Sequence, residues 1–193
     1  VETVKAAAPD MHVHAFSPLE IDQGAKTWGL SLERYLRLLR EAGLDSLPGT
    51  AAEVLDERVR AILCPDKVTS ARWLEIMECA HEVGLFSTAT IMFGHVDSPS
   101  AWVTHWQRVI ELQRRTGGFT EVVPLPFVSE GAPLYRRGES RPGPTWREAR
   151  LMHAVLRLTV GHFIPNIQAS WVKLGRAGAQ DMLSAGANDL GGV

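Results

Sequence analysis

Cysteine is scarce here, with two in 193 residues, Cys64 and Cys79. Two thiols do not make a disulfide framework, so a reducing cytoplasm is the expected compartment. No charge of one sign dominates: Lys+Arg is 20 against Asp+Glu 22. That balance gives no electrostatic case for nucleic acid or an anionic membrane as partner. No apolar run reaches the ~20 residues a bilayer-spanning helix needs. Neither a Gly-x-Gly-x-x-Gly nor a P-loop pattern appears after any strand-like segment, which removes the common nucleotide-binding signatures. What is present is 45% hydrophobic and 22% charged, the balance of a globular protein with a sizeable core.

The stretch Ser87 to Asp97 organises the rest. A β-branched and apolar run meets Gly94, followed at once by His95 and Asp97, and Ser98-Pro99 then opens a helix. A buried strand that stops at glycine lets the backbone approach whatever sits at the strand mouth, the place where α/β proteins bind ligands. The plain alternative is a βα turn with incidental polar residues.

Similar units recur along the chain. Met11–Phe16 reads as a short strand, and Ser17-Pro18-Leu19-Glu20 has the form of a helix start with an N-cap, Pro at the first position and Glu three on. Leu32, Tyr35, Leu36, Leu39 and Ala42 recur at helical spacing, and Leu44–Leu47 is a minimal strand ended by Pro48-Gly49. Thr50-Ala51-Ala52-Glu53 predicts a second capping box. Two further helices carry the apolar faces Trp73, Ile76, Met77, Ala80, Val83 and Trp102, Val103, Trp106, Val109, Ile110. Thr120–Phe127 is a strand whose Pro124 and Pro126 suit a position near a barrel mouth better than a central ladder. Residues 128–144 form a loop long enough to be functional. Thr145-x-x-Glu148 caps another helix, Asn166–Val172 is a strand, and Asn188–Gly192 begins the last. Strands alternating with helices predict a parallel sheet covered by helices, as a barrel or an open sheet, in a single domain over residues 1–193. An eightfold barrel needs about 250 residues, so the chain is roughly two βα units short of one.

Four groups of residues can carry chemistry. His12 and His14 lie two apart on one strand face, a spacing that can hold a divalent metal. With His95 and Asp189 they make the alternative reading of an amidohydrolase-like metal cage. Glu53 is either a capping residue or a carboxylate at a strand mouth that holds an ammonium or ribose hydroxyl. Lys67 is either a solvated loop lysine or a cation for a ligand carboxylate, in a loop stiffened by Pro65. Asn166, Gln168, Trp171, Lys173, Asn188 and Asp189 gather polar groups at the last two strands, as expected of a polar ligand pocket.

These segments also carry a resemblance. His12–Glu20, Leu47–Glu53, Cys64–Lys67, Thr90–Asp97, Thr116–Glu121, Val123–Phe127, Ser170–Gly175 and Asn188–Gly192 occur in the order seen in a radical S-adenosylmethionine family. It resembles the enzymes that condense tyrosine with 5-amino-6-(D-ribitylamino)uracil, the tyrosine-using half of FO synthase in coenzyme F420 biosynthesis. The menaquinone-pathway radical enzymes share the strand patterns, but Pro-Leu-Pro-Phe and Ser-Trp-Val-Lys are closer to the FO synthase type. The resemblance implies a TIM-like (βα) barrel binding S-adenosylmethionine against a [4Fe-4S] cluster, whose reductive cleavage yields a radical that takes hydrogen from L-tyrosine. It places Thr90–Asp97, with Met92, Gly94 and His95, against the adenine, and Glu53 and Lys67 near the methionyl and ribose groups. It turns His12, His14 and the late-strand polar residues toward L-tyrosine and the uracil. The parent is then either fused to, or works with, the deazaflavin-forming half.

The family's Cys-x-x-x-Cys-x-x-Cys is missing, and Cys64 and Cys79 have the wrong spacing, so the resemblance puts the cluster ligands outside this chain. The opening at Val1 and the ending at Gly191-Gly192-Val193 lead to the same expectation. The chain is then an internal fragment lacking the first two βα units and the C-terminal closing helix, and inactive by itself. A non-catalytic remnant, with a start codon near Val1, is the third reading.

Overall fold

The computed structural model describes residues 1–191; Gly192 and Val193, which the last predicted strand includes in part, lie outside the described residues. Nine helices are described: α1 (Glu2–Ala7), α2 (Pro18–Trp28), α3 (Leu32–Glu41), α4 (Glu57–Leu63), α5 (Ser70–Glu82), α6 (Pro99–Thr116), α7 (Pro133–Arg136), α8 (Trp146–Thr159) and α9 (Trp171–Ser184). The strands are β1 (Ser46–Leu47), β2 (Phe86–Phe93), β3 (Phe119–Pro126), β4 (Asn166–Ser170) and β5 (Asp189–Gly191). They form one sheet in the order β1-β2-β3-β4-β5, every described pair parallel. Sequential parallel neighbours joined by helices are what repeated βα units build.

Period-two alternation decides the two faces. Ala89, Ile91 and Phe93 of β2, Val122 of β3 and Ile167 and Ala169 of β4 are buried against Trp73 and Met77 of α5, Val109 and Leu112 of α6, Met152 and Leu156 of α8 and Met182 of α9. A second cluster joins Leu47 of β1 to Ile21, Leu36, Ile76 and Leu85. Burying each such side chain stabilises the fold by about 1.5–3 kcal/mol. The residues between them, Thr88, Met92, Glu121 and Gln168, face away from the helices and are only half-buried. That inner face is the polar one.

Several expectations change in detail. Met11–Phe16 is reduced to one parallel bridge, His14 to Ser46, with Ala15 N–H donating to Ser46 C=O (3.1 Å). The Thr50–Glu53 box does not form. Ala51 and Glu53 have φ of +63° and +50°, outside any helix, and α4 starts later, with the Asp56 carboxylate accepting from Arg58 N (3.0 Å). Hydrogen bonds to β2 hold that loop instead. Ser17/Glu20 and Thr145/Glu148 do form reciprocal capping boxes. β3 sits in the middle of the sheet despite its prolines, because pairing to β4 covers only Glu121 and Val122 and ends before Pro124. Val103 is 55% exposed, and His105 takes its place on the buried face of α6. Trp171 and Val172 open α9 instead of extending β4.

Candidate functional site at the strand mouths

The mouth of β1 is a loop fastened to β2. Gly49 N–H donates to Thr88 Oγ1 (2.8 Å), the Thr90 hydroxyl donates to Gly49 C=O, and Met92 N–H donates to Glu53 C=O (2.8 Å). The buried Arg60 guanidinium donates to the carbonyls of Ala52 and Val68, joining this loop to the Cys64–Thr69 segment. His105, fully buried in α6, accepts from Leu55 N–H at Nδ1 (3.0 Å), and burial pushes its pKa down to about 3. The result is a fixed Glu53–Lys67 ion pair, Oε1 to Nζ 2.7 Å, with 18% and 33% of the two side chains exposed. Arg60 and His105 were not legible as site-shaping residues in the sequence; each sits in a helix where it reads as an ordinary surface position.

The mouth of β2 is built the other way. Asp97 accepts from Gly94 N–H (2.9 Å), His95 N–H (2.7 Å) and the Trp102 indole. His95 accepts from Val96 N–H at Nδ1 (2.7 Å) and donates from Nε2 to Met92 C=O (2.9 Å). Both side chains are fully buried, and burial lowers the His95 pKa, so the ring is neutral with its proton on Nε2. Gly94 has φ +95°, and a Cβ there would lie 2.3 Å from Pro144 of the long loop after β3. The glycine therefore makes room for protein. His95 has no ring nitrogen left for a ligand. Met92 alone of the three lies half-buried on the inner face.

Late-strand polar residues separate into two groups. Gln168 donates to Glu121 (3.0 Å), whose pKa is raised by burial and by the nearby Asp189. Asn166 donates to Thr120 C=O (3.0 Å). Asn188 accepts from Ile167 N–H (2.8 Å) and Arg157 (2.9 Å), so it fastens the β4–β5 edge. Lys173 lines a cavity of about 200 Å³ with Phe127, Pro144 and Trp146, beyond the end of β3. Trp171 is 39% exposed at the start of α9. His12 Nε2 and His14 Nδ1 both lie 2.7 Å from Ser46 Oγ, at the opposite edge. His12, His14, His95 and Asp189 are not brought together: among the described residues no three His, Cys, Asp or Glu side chains converge on a metal position. That removes the amidohydrolase-like cage.

Comparison with known proteins shows what the chain is similar to. Residues 116–193 match the family described as the CofH/MqnC C-terminal region. The chain is 55% identical over 193 residues to FO synthase of Mycobacterium tuberculosis H37Rv, spanning 100% of this chain and 22% of that protein. Over that stretch the chain is similar to FO synthase. It is also 54% identical over 193 residues to the 5-amino-6-(D-ribitylamino)uracil–L-tyrosine 4-hydroxyphenyl transferase of Methanopyrus kandleri, again over 100% of this chain and 52% of that one. The chain thus spans about half of the transferase and about a fifth of the FO synthases. Methylornithine synthase (PylB) shares the fold, with a TM-score of 0.58 and 21% identity over 83% of this chain and 44% of that one.

Neither thiol has the surroundings of an iron ligand. Cys64 is buried at the end of α4 and Cys79 lies on α5. Burial raises both thiol pKa values, that of Cys79 to about 11, which opposes the thiolate an iron ligand must be. Among the described residues no helix is long and apolar enough to cross a membrane.

Proposed function

We propose that this chain forms the later βα units of a radical S-adenosylmethionine barrel, one domain over residues 1–193, whose first βα units and closing helix come from the rest of a longer protein. Its reaction joins the 4-hydroxybenzyl part of L-tyrosine to 5-amino-6-(D-ribitylamino)uracil, in the reducing cytoplasm. The observation that carries this reading is 54% identity across the whole chain to a relative named for that transfer. The [4Fe-4S] cluster does not fit the residues present, so its ligands belong to the remaining half. S-adenosylmethionine fits better. Glu53 and Lys67, fixed at the β1 mouth, would hold its amino and carboxylate groups, and Met92 would line the adjoining wall. When bound, that cofactor supplies a sulfonium bond whose reductive cleavage generates a carbon radical. The chain's own work is to position the ligands and exclude water. Gly94 and His95 would shape the mouth, His95 with both ring nitrogens engaged by backbone groups. His12, His14, Gln168, Asn166 and Asp189 line the substrate side, with Trp171 and Lys173 at its rim. The deazaflavin-forming half is a fused or separate partner.

The test replaces the matching half of the M. kandleri transferase with this chain. The chimera is expected to form the tyrosine–uracil adduct, seen by mass spectrometry, when given S-adenosylmethionine and reductant. A folded, cluster-loaded chimera that cleaves S-adenosylmethionine yet makes no adduct would overturn the substrate assignment.

A further inference from the structure

Two imidazoles share one hydroxyl on the inner side of the sheet. Val13 and Ala15 pack toward the helices, so His12 and His14 point the other way, as does Ser46, the bridge partner of His14. The Ser46 Oγ lies 2.7 Å from His12 Nε2 and 2.7 Å from His14 Nδ1, and Ser46 is only 8% exposed. A serine hydroxyl carries one proton, which it donates to one ring, so the other ring must donate to it. The two neutral rings are therefore held in complementary tautomers. Whichever ring donates to Ser46 has its far nitrogen bare, and the far nitrogen of the other carries a proton. The array offers one acceptor and one donor at its two ends.

We propose that His14, Ser46 and His12 form a proton relay that receives a weakly acidic group, a phenol O–H or a uracil imide N–H, at His14 Nε2. The choice of substrates rests on the transferase reading; the relay itself rests on the geometry. The proton balance closes. The ligand proton moves to His14 Nε2, the His14 Nδ1 proton moves to Ser46 Oγ, and the serine proton moves to His12 Nε2. The ligand is left as the anion and His12 as the imidazolium. The surroundings give the relay a direction. Burial and the charge of His12 both disfavour a cation on His14. His12 instead lies within electrostatic reach of the Asp45 carboxylate, which also accepts from Val13 N–H (2.7 Å) and pairs with Lys5 (2.7 Å).

The experiment records the ring ¹⁵N shifts of His12 and His14 in the 193-residue chain at fixed pH, titrated with p-cresol, with uracil and with toluene. Cresol or uracil is expected to shift both rings, and which of the two does so identifies the phenol or the imide as the source; toluene shifts neither. In Ser46→Ala the His14 response remains and the His12 response disappears. In His12→Gln the affinity for the active probe falls about tenfold, the loss of one hydrogen-bonded partner. Unchanged shifts with both probes, or a His12 response that survives in folded Ser46→Ala, would overturn the relay. Adduct formation by the M. kandleri chimera stands or falls separately, so the two failures are distinguishable.

Discussion

Replacing Gly94 with alanine tests the architecture of the β2 mouth directly. The backbone there has φ +95°, a left-handed conformation that costs an L-residue about 1–2 kcal/mol. The new Cβ would also lie 2.3 Å from Pro144 Cδ and N, and those atoms belong to a ring and a backbone that cannot swing aside. Overpacking of that kind adds about 1–3 kcal/mol. The expected loss is about 2–5 kcal/mol, a large part of the ~5–15 kcal/mol that holds a typical domain together. At about 2–4 °C per kcal/mol for a chain of this size, the Tm should fall by about 4–20 °C. Gly117→Ala is the control. Its φ is +66°, and a Cβ there meets nothing within 4 Å, so it bears the backbone cost alone. Thermal and urea unfolding of both variants isolates the contact with Pro144 as their difference, about 1–3 kcal/mol. Equal losses in the two variants would refute the close packing of the 127–145 loop on the β2 mouth.

Three other outcomes are expected. Thr145→Ala should cost about 1 kcal/mol because it removes a working N-cap, whereas Thr50→Ala should cost almost nothing, and urea unfolding compares them. Burial holds the pKa of His81 down at about 4 and that of His105 at about 3. Below pH 6.5 the unfolded chain therefore takes up protons the native one refuses, and stability falls with falling pH by up to about 1.4 kcal/mol per pH unit per histidine. Asp22 and Asp56 are held below 3.8 and so add their losses only at more acid pH, while the raised Glu121 opposes the trend. His81→Gln should flatten the slope between pH 6 and 4.5, and an unchanged slope would refute this account. Glu53→Gln should weaken S-adenosylmethionine binding about tenfold in calorimetry while moving stability by less than about 1 kcal/mol, since the pair with Lys67 is partly exposed.

The fold was largely legible because its signals are local. Alternation in Thr88–Phe93 and the two reciprocal caps at Ser17 and Thr145 need only a few neighbouring residues to be read. The misreadings come from contacts distant in sequence. Thr50-x-x-Glu53 has every local mark of a cap, but Thr88, Thr90 and Met92 hold that backbone through bonds spanning about forty residues. Val103 fits the apolar period of α6, yet His105 is buried because Leu55 N–H needs an acceptor. The candidate site was legible as residue types and not as partners. His12 and His14 were visible as a pair, but Ser46 between them was not, since it lies over thirty residues away. His95 looked available until the backbone groups claiming both its nitrogens were known.

Asp97 sets a rule for engineering this end of the sheet. Its oxygens are already saturated by its own turn and by the Trp102 indole, so grafting a metal or amine receptor onto the histidine-aspartate pair would first have to unfasten the strand end that carries it. New chemistry is more cheaply introduced across the sheet, beside the two imidazoles, where rings already face solvent and a hydroxyl already holds them in line.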